Sequence, residues 1–452
     1  MKKEIMENQQ QKPVKKEKKW TQSSLMVKIG IIGILMVWLL LLSVMIQSII
    51  EEREELKDSV TREVSSKWAE QQQIKGPILT IPLSMVKTDK EGNKQEYTEY
   101  WHVLPEHLKI NGNLTSETLH RGIYDAIVYR SKLKLSGIFH LKKYPNFMGL
   151  KKRELDQAFI TVGISDLKGI EEEIKANWND VHKRANPGTK LSQLASSGFT
   201  IPVKVSQEQK EYHFDFEIDL QGSKNLSFLP VGAVTEVELQ SPYTAPSFTG
   251  EFLPDFREVS ENGFIARWKV LKLNRNFPQM WTTKGVDYSN NINHSDFGVD
   301  LIIQADDYQK SLRSAKYGIL TIGLTFLIFF LVEVVNKTQI HPLQYAMVGV
   351  ALCLFYTLLV AISEHSSFNI AFGISAVAIV SMISLYSVTL FHKWKLSLML
   401  MTFLYGIFSF LFITLQMVDY ALLMGSVGLT VILGLTMFFT RKIDWYQISF
   451  KQ

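Results

Sequence analysis

The 452-residue sequence predicts an integral membrane protein with six transmembrane α-helices and a large, mostly β extracytoplasmic domain inserted between helices 1 and 2. Three observations predict it. One long apolar run stands near the N-terminus, and five more follow in close succession after a long polar interval. Lysine and arginine fall on one side of the short connections. The interval itself alternates apolar and polar residues with a period of two, the mark of strands with one wet face.

The first 28 residues hold eight lysines against three glutamates, so they carry the whole net charge of +5. Residues 1–26 are a basic tail without arginine or interleaved aromatics, and they run straight into an apolar segment. Beside a membrane span, such a flank fixes topology; nucleic acid would need a folded basic surface. Residues 27–50 hold no charge beyond Lys28. At 1.5 Å per residue this run crosses a hydrocarbon core of about 30 Å. It ends in Ser48, Ile49, Ile50 and Glu51 with no small-residue cleavage site, so it reads as an uncleaved signal anchor.

The later apolar segments, about 317–335, 343–362, 368–391, 396–417 and 420–439, make a five-helix bundle within 313–440. Each approaches the roughly 20 residues that a spanning helix needs, and helices satisfy their own backbone in lipid. Connections 336–342 and 392–395 and the tail 441–452 carry Lys337, Lys393, Lys395, Arg441, Lys442 and Lys451, whereas 363–367 and 418–419 carry Glu364 and Asp419 without a cation. That asymmetry places both termini in the cytoplasm. Lys310, Arg313 and Lys316 oppose it, but they follow a long translocated domain, where the rule is weak.

Residues 51–312 are then extracytoplasmic. The stretch 51–75 is charged, with Leu56, Val60, Val64 and Trp68 in one stripe, and reads as a helical stalk ending at Gly76 and Pro77. Beyond it, Tyr212, Phe214, Phe216, Ile218 and Leu220 alternate with polar residues, as do Phe264, Ala266, Trp268 and Val270. Similar runs at 78–83, 122–129, 133–141, 233–239 and 299–304 complete a mostly β domain of two packed sheets. The segment 150–194 reads as more helical.

Motifs for chemistry are missing from this pattern. One cysteine forbids a disulfide framework and any multi-cysteine metal site. No glycine-rich phosphate loop, His-Glu-x-x-His or Gly-x-Ser-x-Gly occurs. His102 and His107 flank Pro105 as a solvated pair rather than metal ligands. Gly425, Ser426, Val427 and Gly428 read as a close helix contact, because no histidine base follows His392. The reading therefore assigns no catalytic, cofactor-binding or metal residues. One polar cluster stands out as a functional candidate: Glu333, His341, Gln344, Tyr345, Glu364 and His365. It is a polar switch or partner site on one reading. On the other, which the spacing favours, it is capping and snorkelling at helix ends.

At these residues the sequence resembles the CreD family of bacterial inner-membrane proteins. The resemblance rests on GPILTIP (76–82), LPEHLKING (104–112), RGIYDAIVY (121–129), LPVG (229–232), PSFTGEFLP (246–254) and GFIARWKVLKLNRNFPQMW (263–281). It continues through FGVDL (297–301), YQKSLRSAKYGIL (308–320), FLVE (330–333), IHPLQYAMVG (340–349), LFYTLLVAISEH (354–365) and RKIDWY (441–446). It implies a Gram-negative inner membrane, a periplasmic β domain, and a role in cell envelope integrity and the envelope-stress and β-lactam response. It brings no catalytic residues.

The reading is a non-enzymatic, multi-pass inner-membrane protein whose periplasmic domain binds an envelope component or protein partner. Its constant partner is the lipid bilayer; nucleic acid is not a partner, and the oligomeric state is left open. The alternative is a lipid or small-molecule transporter or flippase built on the C-terminal bundle. A third, weaker option is a hydrolase using Asp215, Glu217, Glu251 or Asp255.

Overall fold

The computed structural model describes residues 25–88, 93–142, 144–301, 307–336, 339–417 and 420–441. The basic tail before Leu25, Lys337, Asp419 and the C-terminal tail after Arg441 lie outside the described residues. The chain forms two compact units, Met1–Glu54 with Asp306–Gln452, and Glu55–Ala305.

Helix α1 (Leu25–Trp68) is one continuous helix of 44 residues. Its sequence has no proline, and its glycines, Gly30 and Gly33, fall in the apolar part. The stalk expected to reach Gly76 stops at Trp68, and β1 (Gln72–Thr88) begins at once. Gly76 sits inside that strand at φ +121°, where the pairing with β6 shifts register. The glycine is therefore a bulge, which looks like a stop signal in the sequence.

The strands continue as β2 (Lys94–Val103), β3 (His107–Arg121), β4 (Tyr124–His140), β5 (Leu150–Arg153), β6 (Phe159–Ile164), β7 (Lys175–Trp178), β8 (Val181–Arg184) and β9 (Asn186–Pro187). After them come β10 (Gly198–Pro202), β11 (Glu211–Ser223), β12 (Asn225–Phe228), β13 (Val234–Ser241), β14 (Pro246–Gly250), β15 (Phe256–Ser260), β16 (Gly263–Leu271) and β17 (Met280–Thr282). A short helix α2 (Ser289–Asn293) and strand β18 (Phe297–Leu301) close the unit. Among the described residues, one sheet runs β15-β16-β13-β3-β4-β11-β7-β8 and the other β14-β18-β12-β1-β6-β10-β9, with β2 and β5 on the far half of β1 and β17 on β2. The expected helical character of 150–194 is not found. This stretch holds five strands and two single turns of 3-10 helix, all too short to show a period.

The eight-stranded sheet keeps one face wet: β11 alternates Tyr212, Phe214, Phe216, Ile218 and Leu220 inward with polar residues outward. The sheets share one core, in which Phe199 meets Phe216 at 6.2 Å and Trp268 meets Phe297 at 5.8 Å. Each such buried side chain contributes about 1.5–3 kcal/mol by leaving water. Strands β1 and β6 are buried on both faces. The 272–295 segment covers part of the second face: Lys75 Nζ donates to Asn293 Oδ1 at 2.9 Å, and Thr283 Oγ1 lies 3.4 Å from His102.

In the other unit, α3 (Asp307–Lys316) leads into α4 (Gly318–Asn336), α5 (Pro342–Ser363), α6 (Phe368–Phe391), α7 (Trp394–Gln416) and α8 (Ala421–Thr440). Among the described residues five helices, α1 and α4 to α7, are long and apolar enough to cross a membrane, and α8 carries a shorter apolar stretch, Leu423–Phe438. Their outer faces bear Ile34, Leu41, Ile374, Leu385 and Leu398, all exposed. A contiguous apolar exterior of this kind is costly in water and required in lipid.

Candidate functional site

Glu333 lies one turn before the end of α4 and is 0% exposed. A carboxylate in a membrane helix costs a few kcal/mol unless partnered, and here it has three donors. The Tyr345 hydroxyl of α5 donates to Oε2 at 2.9 Å. The backbone N–H of Ile340, in the α4–α5 connection, donates to Oε1 at 3.0 Å. Lys28, from the first turn of α1, donates to the same oxygen. Tyr345 is itself wedged edge-on against Phe326 and Phe329. One carboxylate thus joins three helices and a loop.

The snorkelling expected of Glu333 therefore does not occur. Lys28 and Tyr345 bring its neutralising charge and hydrogen bonds into the interior, which removes the need to reach the surface. His341 and Gln344 do cap. The N–H of Leu343 donates to His341 Nδ1 at 3.2 Å, and the N–H of His341 donates to Gln344 Oε1 at 2.9 Å. Both sit at the start of α5, where four N–H groups lack helical partners.

Glu364 and His365 belong to the other end of α5, 22 residues or about 33 Å away. There Glu364 accepts from the Tyr308 hydroxyl of α3 at 3.2 Å and faces Arg53 of α1 at 3.7 Å. Asp307 Oδ2 accepts the N–H of Phe368 at the start of α6. His365 is exposed. The six candidate residues accordingly form two groups, one at each end of α5. Sequence reasoning missed Lys28, Arg53 and Tyr308, whose partners lie far away in the chain.

The β unit holds buried titratable groups of its own. His102 is 2% exposed, with Nδ1 3.0 Å from Thr80 Oγ1, and burial pushes it down to about 4. The expected solvated pair with His107 does not form, because His102 faces inward from β2 while His107 is exposed on β3 of the other sheet. Burial also lowers Lys75 to about 8, with Asp287 opposing the shift. Arg275 packs over Phe277 and donates to Gln279 Oε1 at 2.5 Å. Burial lowers it to about 10. Among the described residues no three His, Cys, Asp or Glu side chains converge as a metal site. Three of the four carboxylates considered for hydrolysis have structural partners: Asp215 with Asn177, Glu217 with Lys134, and Asp255 with the N–H of Lys269.

A set of apolar helices with a large β-rich domain between the first and the rest defines an integral membrane protein with a sizeable extramembrane module. The sequence model of the family described as Inner membrane protein CreD matches residues 24–446. The Inner membrane protein CreD of Escherichia coli (strain K12) is 33% identical over 420 residues, covering 91% of this chain and 92% of that protein. The chain belongs to the CreD family, which bears out the resemblance seen in its motifs.

Proposed function

We propose that this chain is a non-enzymatic inner-membrane protein that supports cell envelope integrity under envelope and β-lactam stress. Its β domain is the binding module on the periplasmic side and its helix bundle is the anchor. The observation that carries this reading is a groove of about 660 Å³ on the eight-stranded sheet, lined by Lys109, Asn111, Glu236, Glu238, Asp255, Phe256, Arg267 and Lys269 among others. Three acids and three bases cancel, so the groove offers hydrogen bonds and the exposed Phe256 ring rather than a net field. That chemistry suits a polar envelope polymer or peptide better than a charged small molecule. A neighbouring groove of about 420 Å³, lined by Asn113, Gln240 and Glu258, extends it along the same strands.

The topology in this reading has six spans, with α8 as the sixth, and both termini in the cytoplasm. The Lys28–Glu333 pair supports it, since it sets the start of α1 beside the end of α4. Photo-crosslinking from Asn111 or Phe256 in living cells, with identification of what is caught, tests the binding role. Deleting 76–305 while keeping the helices should abolish envelope-stress resistance. Resistance that survived would overturn the reading and turn attention to the bundle as a lipid or small-molecule transporter.

A further inference from the structure

Helices α4, α7 and α8 leave between them a groove of about 920 Å³. Its walls are apolar, with Leu320, Leu324, Phe403, Ile407, Val427 and Val431 among them. Gly406 and Gly425 keep it open, because at neither position would a Cβ meet a neighbour within 4 Å. Gly428, by contrast, packs closely on Phe410. The α7 wall spans 399–414, about 22 Å of helix, which fits inside a hydrocarbon core of about 30 Å.

Among the residues that line the groove, Lys316 alone is charged. It ends α3, which buries Tyr308, Ser311, Ser314 and Ala315 and turns Gln309, Arg313 and Lys316 outward on one stripe. Among the described residues, neither Arg313 nor Lys316 has a carboxylate within ion-pair distance. An apolar groove on a membrane bundle fills with hydrocarbon. Lys316 at its mouth, with Arg313 one turn earlier on the same exposed stripe of α3, calls for an anion, and a phospholipid of net negative charge supplies both the chain and the charge on one molecule. A zwitterionic lipid brings its own ammonium and gains less.

We propose that this groove binds one anionic phospholipid, with an acyl chain between α4, α7 and α8 and the phosphate on Arg313 and Lys316. The site is independent of the β-domain groove. It is tested on the full-length protein in nanodiscs of mixed phosphatidylglycerol and phosphatidylcholine, with retained lipid read by native mass spectrometry. The protein should retain phosphatidylglycerol preferentially. Arg313→Gln and Lys316→Gln should each lower that preference by about fivefold, whereas Lys310→Gln, whose ammonium lies over the Phe368 ring, should not. Gly406→Leu should reduce retention of both lipids. Excess inorganic phosphate should not displace the lipid, since the groove holds the chain. Equal retention of the two lipids, an unchanged preference in the Arg313→Gln/Lys316→Gln double variant, displacement by phosphate, or a lipid-free dimer would each overturn the proposal. Both charge variants are at exposed positions, so the test survives a failure of Gly406→Leu to fold.

Discussion

Glu333 keeps its place through three donors, and each can be subtracted. Tyr345→Phe leaves the ring packed on Phe326 and Phe329 and removes one hydroxyl. Losing a hydrogen bond to a charged group should cost about 1.5–3 kcal/mol. Glu333→Ala leaves Lys28 facing an empty interior, and breaking a buried pair in this way should cost about 3–5 kcal/mol. Unfolding of the full chain in detergent measures both, and a Tyr345→Phe protein as stable as the wild type would remove Glu333 from its structural role. His102 supports a second prediction. Its folded pKa of about 4 lies below its ordinary 6.5, so between these values the unfolded chain binds the extra proton. The stability contributed by keeping this ring neutral is complete above pH 6.5 and is lost as pH falls through about 4. The loss is on the order of 3 kcal/mol. Thermal unfolding across that window should show the slope, and His102→Asn should flatten it. Residue identity pointed to Glu333 as unusual, but not to its burial. The lysine that neutralises it lies 305 positions away in the chain, and no local spacing shows such a partner.

Elements were legible where a period had room to repeat. The thirteen residues of β11 and nine of β16 alternate visibly, and the apolar runs of α4 to α7 are long enough to stand out. Strands of two to six residues between 150 and 194 are too short to separate from helical patterning, and for β5, β6 and β7 the pairing is with β1 or β11, far away in the chain. Gly76 and Pro77 look in the sequence like the end of the stalk. There the local turn signal is real, but tertiary pairing uses it as a bulge within β1. Gly76 combines φ +121° with a would-be Cβ only 2.7 Å from the Thr161 carbonyl oxygen. Gly122, at φ +64°, has open space around it. Gly76→Ala should therefore destabilise the protein by more than Gly122→Ala. Strain of this kind costs on the order of 1–3 kcal/mol, to which the first variant adds the clash. Equal thermal midpoints for the two variants would show that β1 relaxes around the bulge.

At the scale of the whole molecule, α1 and α4 are separated in sequence by the entire β unit, yet the first turn of one is bonded to the last turn but one of the other. If both helices cross the bilayer, this contact makes them antiparallel, and the chain between them leaves and returns on the opposite side from Lys28. In the proposed topology that side is the periplasm, with Lys28 kept in the cytoplasm. The same ion pair closes the bundle around an insertion of about 240 residues, so its loss should be repaired by reversing both charges. Lys28→Glu places two carboxylates together in a low-dielectric setting and should lower the thermal midpoint, as should Glu333→Lys. The Lys28→Glu/Glu333→Lys protein should recover much of the loss, with a coupling energy in the range of about 0.5–3 kcal/mol seen for residues in contact. Reporter fusions near Asn225 and after Gln452 should meanwhile report opposite compartments in the wild type. Additive losses in the double variant would mean that α1 does not dock on α4 through this pair. Fusions active in the same compartment would leave the antiparallel pairing without its membrane consequence. Coupling together with opposite compartments would establish that one buried contact carries the topology across the inserted domain.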